Sequence, residues 1–142
     1  MKVKIKKLSD KAIIPSYGTE YSAGMDITCT KVRSIEEMDH GYVEYGTDLA
    51  FEIPQGYVGL LFPRSSITKK GLILGNSVGV IDSDYRGEVT FRFKHIRGGS
   101  IYEIGDRIGQ LIIIPYPKVE FEEVTELNNT IRGTGGYGST GS

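Results

Sequence analysis

The chain of 142 residues has a single cysteine, Cys29, so no internal disulfide can form and nothing resembles the cysteine framework of a small secreted domain. It has no basic excess: 17 Lys and Arg face 18 Asp and Glu, for a formal net charge of −1. That balance argues against a nucleic-acid groove or a membrane surface as the main partner and leaves any phosphate binding to local cations. No apolar run approaches transmembrane length, and the opening Met-Lys-Val-Lys-Ile-Lys-Lys lacks the apolar stretch of a signal peptide, so an intracellular, cytoplasmic protein is expected. The sequon Asn128-Asn129-Thr130 therefore carries little meaning. There is no internal repeat, no linker and no Walker A sequence. What remains, with 39% hydrophobic and 25% charged residues, suits one globular domain with a sizeable core.

The pattern is strand after strand. Val3 and Ile5 alternate with lysines; Val43, Tyr45, Leu49, Phe51 and Ile53 continue a period of two up to Pro54-Gln55-Gly56; residues 57–62 run apolar into Pro63. Residues 108–114 contain the longest apolar run, Leu111-Ile112-Ile113-Ile114, which reads as a strand covered on both faces. Only residues 65–70 offer room for a turn or two of helix. Strands this short and numerous predict an all-β barrel or jelly-roll sandwich over residues 1–131, followed by a glycine-rich segment, 132–142, that cannot bury enough apolar surface to fold alone.

Residues 79–88 read Gly-Val-Ile-Asp-Ser-Asp-Tyr-Arg-Gly-Glu, a β-branched run that breaks into an acidic turn. Val78, Val80 and Ile81 suit a buried strand, and Val89, Phe91 and Phe93 restore alternation afterwards, so a β-hairpin with Asp82 and Tyr85 at its tip is expected. Taken alone, Asp82 and Asp84 are as well explained by turn chemistry as by catalysis. Pro63-Arg64-Ser65-Ser66 can converge the Arg64 guanidinium, the Ser65 hydroxyl and first-turn N–H groups on one anion, although serines in this place more often serve as plain caps. Gly105-Asp106-Arg107-Ile108-Gly109-Gln110 offers the Gln110 amide to a phosphate or a metal-bound water, or is simply a turn. Asp26 sits between apolar neighbours, where an unpaired charge would be costly; it suits an internal salt bridge or a magnesium-shell ligand. Residues 133–138 satisfy G-x-G-x-x-G, but so near the chain's end they lack the flanking strand and helix of a dinucleotide site. They read either as a disordered end or as a flap, in which bare N–H groups and Arg132 wrap phosphates and Tyr137 stacks on a base.

The five segments at 23–27, 63–66, 76–88, 105–110 and 132–141 occur in the order of the five motifs of the trimeric deoxyuridine triphosphate diphosphatases (dUTPases), which the chain resembles over essentially its whole length. The resemblance implies a jelly-roll-like subunit, a homotrimer with shared active sites, and hydrolysis of dUTP to dUMP and diphosphate with Mg2+. By the same resemblance, Asp82 is the catalytic carboxylate that orients or deprotonates the attacking water, and Tyr85 packs on the deoxyribose. Asn76 and the backbone of Gly79, Val80 and Ile81 read the uracil edge. Arg64, Ser65, Gln110 and Arg132 match phosphate and leaving-group contacts, Tyr137 stands where an aromatic stacks on uracil, and Ser66, Gly136, Gly138 and Ser139 complete the substrate-binding residues. Asp26 and Gln110 reach the metal through water, as oxygen ligation without a His or Cys cage suggests. Departures from the family pattern are Tyr137 for a usual phenylalanine, Ser66 for a frequent glycine and Gly109 for a frequent alanine, and residues 34–42 match nothing recognisable. The related dCTP deaminases keep a glutamate where this chain presents Arg92, which cannot make a carboxylate's proton transfers. A catalytically silent nucleotide-binding or partner-binding module on the same scaffold is the other alternative.

Overall fold

The computed structural model describes residues 1–35, 41–96 and 98–138. Among the described residues, eleven strands pair antiparallel in three sheets. In the largest, β2 (Ser16–Tyr17), β3 (Met25–Thr28), β11 (Arg107–Pro115), β7 (Tyr57–Phe62) and β9 (Gly79–Ile81) lie side by side in that order. The second runs β4 (Lys31–Ile35), β5 (Tyr42–Gly46), β10 (Thr90–His95), β8 (Leu72–Leu74), and a small third sheet pairs β1 (Lys4–Lys7) with β6 (Leu49–Glu52). The result is a jelly-roll-like β-sandwich. Among the described residues no helix is long and apolar enough to cross a membrane.

Period-two patterning places the core between the sheets. Tyr45, Phe91 and Phe93 point inward from the four-stranded sheet and meet Ile27, Leu61, Ile108 and Leu111 of the five-stranded one, with Leu49 and Phe51 of β6 closing the same cluster. The Tyr45 ring stands edge-on to Phe93 at 5.7 Å, and Phe91 stacks on Phe93 at 6.1 Å. Gly109 takes alanine's frequent place because a Cβ there would run into the Phe91 ring.

Three expectations are corrected. The hairpin does not form: β9 pairs with β7 in one sheet, whereas β10 pairs with β5 and β8 in the other, so residues 82–89 arch between sheets. Local residues specify the turn, with Tyr85 N–H donating to the Asp82 carbonyl at 3.2 Å, but they do not specify which strands the arms join. Val80, expected in a buried strand, is 60% exposed because it alternates to the outer face of β9 between buried Gly79 and half-buried Ile81. Finally, β11 is not covered on both faces: Ile108 and Leu111 are buried, but Ile112 and Ile113 are only half-buried and Ile114 is exposed. The expected short helix is a 3-10 helix over Ser65–Lys69.

A polar network fastens the arch to the bend between β5 and β6. Asp48, in the left-handed region at φ 53°, accepts from Thr30 Oγ1 at 2.7 Å, Lys31 Nζ at 2.8 Å and Ser9 Oγ at 2.9 Å. Glu88 Oε1 accepts the backbone N–H groups of Thr47 at 3.0 Å and Asp48 at 2.8 Å, and its other oxygen pairs with Lys31 at 2.9 Å. The Lys31 ammonium, first, and the Thr30 hydroxyl hold the Asp48 carboxyl at about 2, well below the ordinary aspartate range. The same two carboxylates push the Lys31 ammonium up.

Candidate active site

Asp26 on β3 lies opposite Gln110 on β11, and its carboxylate is taken from both sides. Arg64 Nε donates to Oδ1 at 2.8 Å and Arg107 donates to Oδ2 at 2.9 Å. The internal salt bridge expected for Asp26 is thus present, made with residues 38 and 81 positions away in the chain. One carboxylate between two guanidinium groups leaves a net positive charge whose arginines are held in place. Gln110 donates from Nε2 to the Pro63 carbonyl at 3.1 Å, tying β11 to the loop that presents Arg64 and Ser65. A Cβ at Gly24 would run into Gln110 Oε1, which explains the glycine beside the carboxylate. These side chains line a cavity of about 380 Å³ together with Gly18, Thr19, Ser22 and Ala23. Arg107 is the functional candidate to which the sequence assigned no role; the only signal was a cation three residues before Gln110 at the entry of an apolar strand.

Asp82 stands elsewhere. It is exposed, at the head of the turn that Arg86 tightens by donating to the Ser83 and Tyr85 carbonyls at 2.7 and 3.0 Å. Tyr85 Oη donates to the Glu88 carbonyl at 3.0 Å, which pins its half-exposed ring over the turn. Asp82, Asp84 and Val80 line a cavity of about 880 Å³ whose opposite wall is Glu52, Tyr57, Val58 and Tyr116. Asn76 and Gly79 line a third, of about 440 Å³, with Thr90 and Arg92, while Ile81 is half-buried on β9. The three cavities share no residue, so the chain by itself does not bring the predicted site together.

In the tail, Arg132 Nε donates to the Gly135 carbonyl at 3.0 Å, a turn whose neighbours Gly133, Tyr137 and Gly138 all have positive φ. Gly136 is exposed and the Tyr137 ring is free of the core. Ser139 and Thr140 of the expected flap lie outside the described residues, as do residues 36–40 of the unmatched stretch. Arg92, the residue that separated this chain from the deaminases, pairs with Glu44 at 2.8 Å and lies over the Tyr42 ring at 4.8 Å.

The dUTPase family model matches residues 10–141. The chain belongs to the dUTPase family. It is 41% identical over 147 residues to the deoxyuridine 5'-triphosphate nucleotidohydrolase of Hydrogenobaculum sp., covering 99% of each chain. To the enzyme of the same name from Nautilia profundicola it is 42% identical, again over 99% of both chains. Among solved structures, the dUTPase of Staphylococcus bacteriophage 80alpha with dUpNHpp superposes at a TM-score of 0.84, with 29% identity and 99% of both chains covered. A mutant dUTPase of phage phi11 of S. aureus, a structure concerned with coordination of a structural Mg(II) ion, has a TM-score of 0.72 at 25% identity, covering 89% of this chain and 98% of that one.

Proposed function

We propose that this protein is a dUTP diphosphatase of the cytoplasm that hydrolyses dUTP to dUMP and diphosphate. The observation that carries the reading is the cluster in which Arg64 and Arg107 are fixed by one carboxylate beside Ser65 and Gln110, an arrangement suited to a polyphosphate. A water oriented and deprotonated by Asp82 attacks the α-phosphorus; the new P–O bond forms as the bond to the β-phosphate's bridging oxygen breaks, and diphosphate leaves. Positioned base catalysis of this kind contributes about 10² to 10⁴ in rate. Tyr85 packs on the deoxyribose where a 2′-hydroxyl would clash, while Asn76 and the backbone of Gly79, Val80 and Ile81 read the uracil edge, whose donors and acceptors cytosine reverses. Arg64, Ser65, Ser66 and Gln110 hold the phosphates. Residues 132–142 form a flap in which Arg132 and the N–H groups of Gly136, Gly138 and Ser139 close on the phosphates and Tyr137 covers the base.

Among the described residues no three His, Cys, Asp or Glu side chains cluster as a metal cage. Asp26, already gripped by two arginines, retains lone pairs for water only. That donor set fits Mg2+ held by phosphate and water oxygens, with Asp26 and Gln110 reaching its waters; so bound, the ion supplies neutralisation of the triphosphate charge.

Because Asp26, Asn76 and Asp82 line separate cavities, the reading requires neighbouring copies to complete each site, and we propose a homotrimer. The exposed Val80 and Ile114, and the apolar Val119, Phe121, Leu127 and Ile131 that the chain leaves uncovered after β11, support packing against other subunits. The test is diphosphate release with magnesium from dUTP, dCTP, dTTP and UTP in parallel, with light scattering on the same sample. The expected result is turnover of dUTP far above the other three at three times the 15.7 kDa subunit mass. Comparable rates with dTTP or UTP, ammonia release from dCTP, or full activity in a monomer would each overturn it.

A further inference from the structure

Among the described residues, one buried side-chain polar atom has no hydrogen-bond partner, the hydroxyl of Tyr102. The rest of that side chain is held firmly. Tyr102 is 3% exposed; its backbone N–H donates to Tyr45 Oη at 3.1 Å and its carbonyl accepts from the same hydroxyl at 3.2 Å. Its ring stands edge-on to Tyr45 at 5.9 Å and tilted against Phe93 at 5.8 Å. Lys70, just beyond the Ser65–Lys69 turn, lies over the ring at 4.9 Å while donating to the Ile101 carbonyl at 3.0 Å. The ring thus runs beneath the turn. Its hydroxyl has no hydrogen-bond partner, and while burial raises its pKa, Ser66 and Arg64 of the turn are among the groups that act on its acidity, both lowering it. A phenylalanine would fill the same volume without burying an unpaired hydroxyl, so packing alone does not account for the tyrosine.

Resting on the reading of Arg64, Ser65 and Ser66 as phosphate contacts, we infer that Tyr102 is a positioning residue of that site: its hydroxyl donates to Ser66 Oγ as the Ser66 hydroxyl turns to donate to a phosphate oxygen. Burial pushes the Tyr102 phenol up from its ordinary value, so it remains a protonated donor. A chain of two hydrogen bonds ending on an anion polarises in one direction, and each bond strengthens the other. The phosphate thereby completes a contact that the fold leaves unmade.

The experiment compares wild type, Tyr102→Phe, Ser66→Ala and the double variant, each as the full chain. It measures binding of inorganic triphosphate with magnesium, binding of deoxyuridine, steady-state dUTP hydrolysis and melting temperature. Tyr102→Phe is expected to weaken triphosphate binding and raise KM by about fivefold to tenfold, with kcat within about twofold, as loss of the supporting hydrogen bond behind the Ser66–phosphate contact implies. Deoxyuridine, lacking phosphate, should bind unchanged, and the melting temperature should hold or rise. The double variant should be no worse than Ser66→Ala alone. Unchanged triphosphate affinity in Tyr102→Phe, additive losses in the double variant, or equal losses for triphosphate and deoxyuridine would overturn the inference. Absence of dUTP turnover in the wild type overturns the proposed function instead, and the triphosphate cycle still decides the role of Tyr102.

Discussion

At Asp26 both carboxylate oxygens are occupied by guanidinium donors, at 2.8 and 2.9 Å, whereas the Asp82 carboxylate is exposed and makes no side-chain hydrogen bond or ion pair among the described residues, its neighbour Arg86 bonding backbone carbonyls instead. Both regions combine acidic and basic groups, but the first sits where β3 and β11 pair side by side, and the second on an arch between sheets. Under the proposed function the difference separates two tasks. Groups that bind a charged ligand gain from being held in place beforehand, because no reorganisation is then needed on binding. A carboxylate that must take a proton from water gains from leaving its lone pairs free. The tail continues the contrast, since Tyr137 and Ile131 touch none of the core.

The largest effect is expected at Asp82. Asp82→Asn keeps the shape and removes the charge; turnover should fall at least about a hundredfold with dUTP binding and melting temperature nearly unchanged. Near-normal turnover would remove Asp82 from the chemistry. Truncation after Ile131 is expected to lower dUTP turnover by about tenfold or more, through loss of water exclusion and phosphate contacts, while melting temperature and oligomer mass hold. A large loss of stability would show the segment to be structural, and unchanged turnover would show an idle terminus.

The fixed region should respond in the opposite manner. Asp26→Asn frees both arginines, so KM for dUTP should rise about fivefold and stability should drop by about 1 to 2 kcal/mol, a figure moderated by the solvent that reaches Arg107. An effect on kcat alone, with stability intact, would erase the distinction drawn from Asp82. The smallest effect concerns the network that anchors the arch through Glu88. With its carboxyl held at about 2, against 3.8 for an unperturbed aspartate, Asp48 contributes stability that is fully present above pH 3.8 and is lost as the pH falls toward 2. Asp48→Asn should therefore be less stable than wild type near neutrality, and the gap should narrow through that window; chemical unfolding at several pH values measures it. A gap independent of pH would show that the Asp48 charge adds nothing.

Much of this was legible in the sequence because it depends on neighbours along the chain. Alternation identified Val43, Tyr45, Phe91 and Phe93 as core, and all four are buried. The acidic turn at Asp82 formed as its residues demand. The order of the five segments sufficed for the family. Tyr102 shows the other side: the sequence assigns it nothing, and only the fold buries its hydroxyl without a partner and sets Lys70 over its ring. Arg107 acquires its role by reaching Asp26 across 81 positions, and Gly109 its reason from the ring of Phe91.

Short stretches of chain suffice for an all-β domain and for most of its inward-facing residues, since strand period and turn preference are local properties. That β9 and β10 enter different sheets, that Asp26 serves two arginines, and that Asp26, Asn76 and Asp82 open onto separate cavities emerges only in the folded chain. Those outcomes depend on which distant strands pair. Strand pairing is chosen by the burial of whole faces at once, which no local pattern encodes.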